Sequence, residues 1–172
     1  MNYADIRPID VANGPGIRVS LFVSGCPHHC VECFNPETWD FAYGSPFGEA
    51  QIEEILAALD KPYIHGLSLL GGEPFAPENQ SAVLDLVRRV RAAFPQKDIW
   101  CYTGYLYENL LAGEIGPLSR PMLEALDVLV DGPFILARKN LSIRFRGSDN
   151  QRLIDVPASL RAGQVCPWDG IE

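Results

Sequence analysis

Residues 17–34 read "IRVSLFVSGCPHHCVECF". The first seven are largely apolar and β-branched and lie between Gly16 and Gly25, which predicts a buried strand over 17–23. The rest is a loop carrying Cys26, Cys30 and Cys33 in the spacing C-x-x-x-C-x-x-C. A strand that empties into three clustered thiols, with no second cysteine pair to complete a structural zinc site, poses the question of what the thiols hold.

Working outward, strand and helix patterns alternate. "EAQIEEILAALD" (49–60) puts Ile52, Ile55, Leu56 and Leu59 on one helical face, and "SAVLDLVRRVRAAF" (81–94) does the same with Val83, Leu86, Val87, Val90 and Phe94. "HGLSLLGG" (65–72), "DIWCYTG" (98–104) and "DVLVDG" (127–132) read as strands, and "YENLLAG" (107–113) as a short helix stopped by Gly113. Residues 134–156 look less regular, a mixture of short strands or loops. Alternation of this kind predicts an α/β fold with mostly parallel strands, open or closed into a partial β/α barrel, in a single domain over 1–172.

The order of motifs along these units matters more than the units themselves. The cysteine loop follows the first strand, "GGEP" (71–74) the second, "TGY" (103–105) the third and "DGPF" (131–134) the fourth. In a parallel sheet such loops meet at the carboxyl edge, where ligands bind. Three soft thiolates suit iron–sulfur or zinc. A four-iron cube held by three cysteines leaves one iron open to a substrate, whereas zinc would need a fourth ligand such as His28 or His29. Gly71 and Gly72 let the backbone approach a ligand closely, Glu73 offers an anionic acceptor for an ammonium group, and Pro74 fixes the turn.

Composition narrows the classes. The chain has 172 residues, 14 Lys plus Arg against 22 Asp plus Glu, and a formal charge of −8, which argues against a nucleic-acid partner bound through a basic surface. No apolar run is long enough to span a membrane, and the N-terminus lacks the apolar core of a signal peptide, so a cytoplasmic location is expected. Five cysteines in a reducing compartment do not suggest a disulfide framework.

The cysteine loop together with "GGEP" resembles the radical S-adenosylmethionine superfamily. "NGPGIRVSLFVSGCPHHCVECFNPETW", "YTGY", "LVDGPF" and "RFRGSDNQR" (144–152) resemble its glycyl-radical-enzyme activases, and within these the branch that activates anaerobic ribonucleoside-triphosphate reductase. The resemblance spans roughly residues 9–156. It implies that Cys26, Cys30 and Cys33 ligate one 4Fe–4S cluster whose open iron chelates S-adenosylmethionine. It implies that Gly71, Gly72, Glu73 and Pro74 hold the methionine end, and that Glu32 and Phe34, flanking Cys33, line the adenine pocket. The implied reaction is reductive cleavage to a 5′-deoxyadenosyl radical that takes a hydrogen from a glycine of the partner reductase, with a flavodoxin- or ferredoxin-like protein as electron donor. Two features depart from the wider pattern. Glu32 stands where an aromatic residue usually precedes the third cysteine, and only Cys101 and Cys166 remain, too few for the inserted ferredoxin-like domain of some activases. The alternatives are an activase of another glycyl-radical enzyme, a small radical enzyme acting on a free metabolite, or a non-enzymatic metal or electron-transfer module.

Among the other residues, Cys101 is expected as a buried hydrophobe and Cys166 as a tail thiol. His28 and His29 are expected as loop spacers. Trp39 reads as a core anchor or a partner-facing surface, and Asp131 as a ribose contact or a strand end. Arg144 and Arg146 suit a carboxylate or an acidic patch of a partner, or a solvated face.

Overall fold

The computed structural model describes residues 1–170. The expected parallel strands are all present: β2 (Ile17–Val23), β4 (Ile64–Gly71), β5 (Asp98–Tyr102) and β6 (Val128–Asp131). They pair in parallel in the order β2-β4-β5-β6. Three further strands make the sheet mixed. β1 (Asn2–Asp10) and β3 (Ser45–Pro46) extend one edge antiparallel, and β7 (Arg152–Asp155) pairs antiparallel with β6 at the other. The result is an open seven-stranded sheet, β3-β1-β2-β4-β5-β6-β7, so "mostly parallel" holds for its centre and not its margins.

Alternation within the central strands produces two unlike faces. Val19, Leu21 and Val23, Leu67 and Leu69, Ile99 and Cys101, and Leu129 point to one side and form the main core. The helices cover that side. α1 (Glu49–Leu59) buries Ile52, Ile55 and Leu59 there, with Leu56 at the margin. α2 (Pro77–Ala93) buries Val83, Leu84, Leu86, Val87 and Val90. It starts four residues before its expected first turn because Pro77 takes the first helical position, where its missing N–H costs nothing. Short helices α3 (Tyr107–Leu111), α4 (Ser119–Glu124) and α5 (Val156–Ala162) complete the layer. Cys101 sits fully buried in this core, as expected of a small hydrophobe. No helix among the described residues is long and apolar enough to cross a membrane.

The other face is more polar. Trp100, Val128, Val130 and Leu153 form a second cluster under Phe145 and Trp168. Beside it Arg18 is fully buried in the sheet, donating from Nε to Ser68 Oγ at 2.7 Å and from a terminal nitrogen to Leu67 O at 2.9 Å. Its counter-charge is Asp98 at 2.6 Å, and its guanidinium lies 5.5 Å from the Trp100 ring. A buried arginine is tolerated when its donors are met and its charge is paired. Asp98→Ala removes the carboxylate but leaves the cation in place. It should destabilise the fold by about 3 kcal/mol, read as a lower urea midpoint at unchanged m-value.

Candidate iron–sulfur site

The carboxyl ends of β2, β4, β5 and β6 release the four loops singled out in the sequence, and hydrogen bonds bind these loops to one another. Gly72 N–H donates to Val23 O at 2.7 Å and Glu73 N–H donates to Gly25 O at 2.8 Å, which fastens the glycine turn to the root of the cysteine loop. Gly25 N–H donates in turn to Thr38 O at 2.8 Å and Cys26 N–H to Trp39 O at 3.1 Å, closing the loop's two ends. Thr103 N–H donates to Val130 O, and Gly132 N–H to Tyr105 O. Phe34 meets Phe134 with ring centres 5.5 Å apart, so the last loop reaches the tip of the first.

Glu73 is the focus of these contacts. It is fully buried. Its Oε1 accepts from Phe75 N–H at 2.9 Å and Thr103 Oγ1 at 2.8 Å; its Oε2 accepts from Gly104 N–H at 2.8 Å and lies 2.7 Å from His28 Nε2. Asn79, at the start of α2, donates to both Ser24 O and Glu73 O at 3.0 Å. Every lone-pair direction of this carboxylate already faces a protein group, so an ammonium group would have to take the place of one of them. His28 has the most exposed side chain of the four donors, at 18%, so it is the partner a ligand would displace. Asn79, Thr103 and His28 were not singled out for this role in the sequence. A buried polar residue in the first turn of a helix is the signal that marks Asn79.

The glycines let the backbone segments at the site pack closely. Gly71 has φ +99°, a conformation open to few side chains, and a Cβ there would lie 2.8 Å from Phe22 Cα. At Gly72 a Cβ would lie 2.6 Å from Gly25 O and 3.0 Å from Thr38 O. The space a side chain would invade is taken by backbone, that of β2 at Gly71 and that of the cysteine loop at Gly72. Pro74 is buried behind the turn.

All five cysteines are free thiols. Cys26, Cys30 and Cys33 are each half-buried, and Asn35 N–H points at Cys33 Sγ from 3.4 Å. Burial pushes the Cys26 thiol up to about 11, and the nearby charge of Glu73 adds to the effect. A metal must therefore displace that proton to bind. The histidines have other engagements. His28 faces Glu73, and His29 stacks on Trp39 with ring centres 4.7 Å apart. Among the described residues no three His, Cys, Asp or Glu side chains converge as they would on a single ion. A cube distributes its thiolates over separate irons and makes no such demand, so this donor set fits an iron–sulfur cluster.

The flanking residues split. Glu32 is exposed with φ 55° and pairs with Lys139 at 3.9 Å. Phe34 is 62% exposed, with Lys139 Nζ 5.8 Å from its ring. Asp131 is wholly buried at the end of β6, where its carboxylate accepts from Tyr107 N–H at 2.8 Å and is clamped by Arg152. Those contacts are those of a strand terminus. Cys166 lies on the tail that pairs with β7, where Asp155 N–H donates to its carbonyl.

Residues 12–154 match the family model described as a 4Fe-4S single cluster domain. The anaerobic ribonucleoside-triphosphate reductase-activating protein of Enterobacteria phage T4 is 45% identical over 155 residues, covering 89% of this chain and 93% of its own. The protein of that name from Escherichia coli K12 is 43% identical over 153 residues, covering 88% and 96%. That of Vibrio cholerae is 45% identical over 153 residues, with the same coverage.

Two substitutions test this geometry. Glu73→Gln places an amide nitrogen against donors and should lower the stability of chelator-treated protein by about 2 kcal/mol, read by urea denaturation. Gly72→Ala should push the cysteine loop from its seat and reduce iron uptake on anaerobic reconstitution to less than half of wild type, measured by iron analysis.

Proposed function

We infer that this chain, which belongs to the family of anaerobic ribonucleoside-triphosphate reductase-activating proteins, is a cytoplasmic iron–sulfur activase of that reductase. The observation that carries the reading is the fastening of a three-cysteine loop to a "GGEP" turn at the carboxyl edge of four parallel strands. The open sheet would then serve as the partial barrel of a radical S-adenosylmethionine enzyme, in one domain over the described residues.

Cys26, Cys30 and Cys33 would ligate a single 4Fe–4S cluster, leaving one iron for S-adenosylmethionine. A cluster held by these three thiols would supply the one electron for reductive cleavage of the sulfonium's carbon–sulfur bond, the chemistry from which hydrogen abstraction at the partner's glycine would follow. The chain's own part is binding, orientation and exclusion of competing reactions. Glu73 would accept the ligand's ammonium group in place of His28, with Thr103 and Gly104 keeping the carboxylate aimed. Gly71, Gly72 and Pro74 would hold the methionine end through backbone groups. Glu32 and Phe34 would border the adenine. A flavodoxin- or ferredoxin-like protein would deliver the electron.

Anaerobic reconstitution should give about four irons per chain, the number in one cube. Added S-adenosylmethionine should change the EPR signal of the reduced protein, and dithionite should yield 5′-deoxyadenosine. Incubation with the cognate reductase should then produce a glycyl radical. Cys26→Ala, Cys30→Ala and Cys33→Ala should each abolish iron binding and cleavage, while Cys101→Ala and Cys166→Ala keep both. An iron-loaded Cys30→Ala protein that still cleaves the sulfonium would overturn the assignment.

A further inference from the structure

Eleven large hydrophobic side chains are exposed among the described residues, and six of them stand on the cysteine loop or on the loops that follow β5 and β6. Val31 (69% exposed) and Phe34 (62%) stand on the loop itself, and Ile135, Leu136 and Leu141 (78%) on the segment that follows β6. Leu106 closes the group, 3.8 Å from the position a Cβ would take at Gly132. Contacts tie the cysteine loop to the segment after β6. Phe34 packs on Phe134, Lys139 bridges to Glu32, and Asn140 N–H donates to Gly147 O, which brings Leu141 back toward Phe34 and Phe134. A cluster of this kind on an otherwise charged surface marks an interaction site.

Its charge is opposite to that of the chain. Residues 133–152 hold five of the fourteen Lys and Arg residues and a single acidic residue, Asp149, in a protein of net charge −8. Arg138 is paired with Asp149, and Lys139 with Glu32. Arg144 is exposed and, among the described residues, engages no partner. Arg146 has a buried Nε with no acceptor.

We propose that this rim, centred on Leu141 and Arg144 beside the cysteine loop, is the docking surface for the reductase, which presents an apolar segment bordered by carboxylates. The proposal rests on the functional reading above. The balance of the patch distinguishes the reductase from the electron donor. A transient electron-transfer contact is small and needs little apolar area, whereas a partner whose glycine must be held in register at the cluster requires an apolar centre with a charged border.

The test uses reconstituted full-length protein and the purified cognate reductase. Leu141→Glu and Arg144→Glu alter exposed side chains without hydrogen bonds among the described residues, so both should fold. Each should weaken reductase binding at least tenfold by anaerobic calorimetry and lower glycyl-radical yield. Iron content and dithionite-driven 5′-deoxyadenosine formation should match wild type. Raising salt should weaken wild-type binding more steeply than that of Arg144→Glu. Tyr63→Glu, at an exposed aromatic just before the amino end of the central strand β4, away from the carboxyl ends that carry the site, should bind as wild type does. Wild-type affinity in both rim variants overturns the proposal while leaving the activase reading intact. So does slower reduction by flavodoxin with unchanged reductase binding, or loss of a self-associated species in sedimentation with unchanged reductase binding. Failure of the wild-type protein to bind the reductase overturns the activase reading itself, and the proposal with it.

Discussion

A carboxylate buried without solvent must be given donors, and Glu73 draws its four from two other loops and its own turn. Each donor comes from a place the sheet alone would not fix: the cysteine loop, the "TGY" turn after β5 and the start of the segment leading into α2. An unpaired carboxylate in that position would cost several kcal/mol, so the loops assemble around it or the site does not form. The backbone bonds from Gly72 and Glu73 to Val23 and Gly25 then fix the depth at which the cysteine loop starts. The network thus does two jobs. It satisfies a buried charge, and it sets the spacing between a thiol-bearing loop and a glycine turn.

The parallel centre of the sheet was legible because β2, β4 and β6 are covered on both faces and read as near-continuous apolar runs. The margins were not. β1, "NYADIRPID", buries only one of its nine residues, carries Pro8 and has two register breaks against β2, so no alternation identifies it. β7 spans only four residues, and its pairing with β6 follows from the Arg152 clamp on Asp131, a contact between residues distant in sequence. Edge strands of this sort are defined by what they pair with more than by their own composition. The site divides in the same way. The cysteines and "GGEP" announce themselves by type and spacing. His28, Thr103 and Asn79 take their roles from where the folded chain brings them, and their identities alone are compatible with loop or surface.

The cysteine loop is firm at its root and costly at its tip. Its root is tied by paired backbone bonds at Gly25 and Cys26. Its tip holds two non-glycine residues in the left-handed region, His29 at φ 47° and Glu32 at φ 55°, each flanking a cysteine. Such residues cost roughly 1–2 kcal/mol each. The contacts that offset this are modest: His29 stacks on Trp39, Glu32 reaches Lys139 at 3.9 Å, and Phe34 leans on Phe134. An exposed ion pair and two partly exposed ring contacts contribute on the order of 1 kcal/mol apiece at best. The chain alone therefore leaves the tip close to balance, with Cys30 and Cys33 half-buried beside the two strained positions. Thiolate–iron bonds are stronger than any of these contacts. Under the proposed ligation the root of the loop is set by the fold, and the tip would take its final order from the bound cluster.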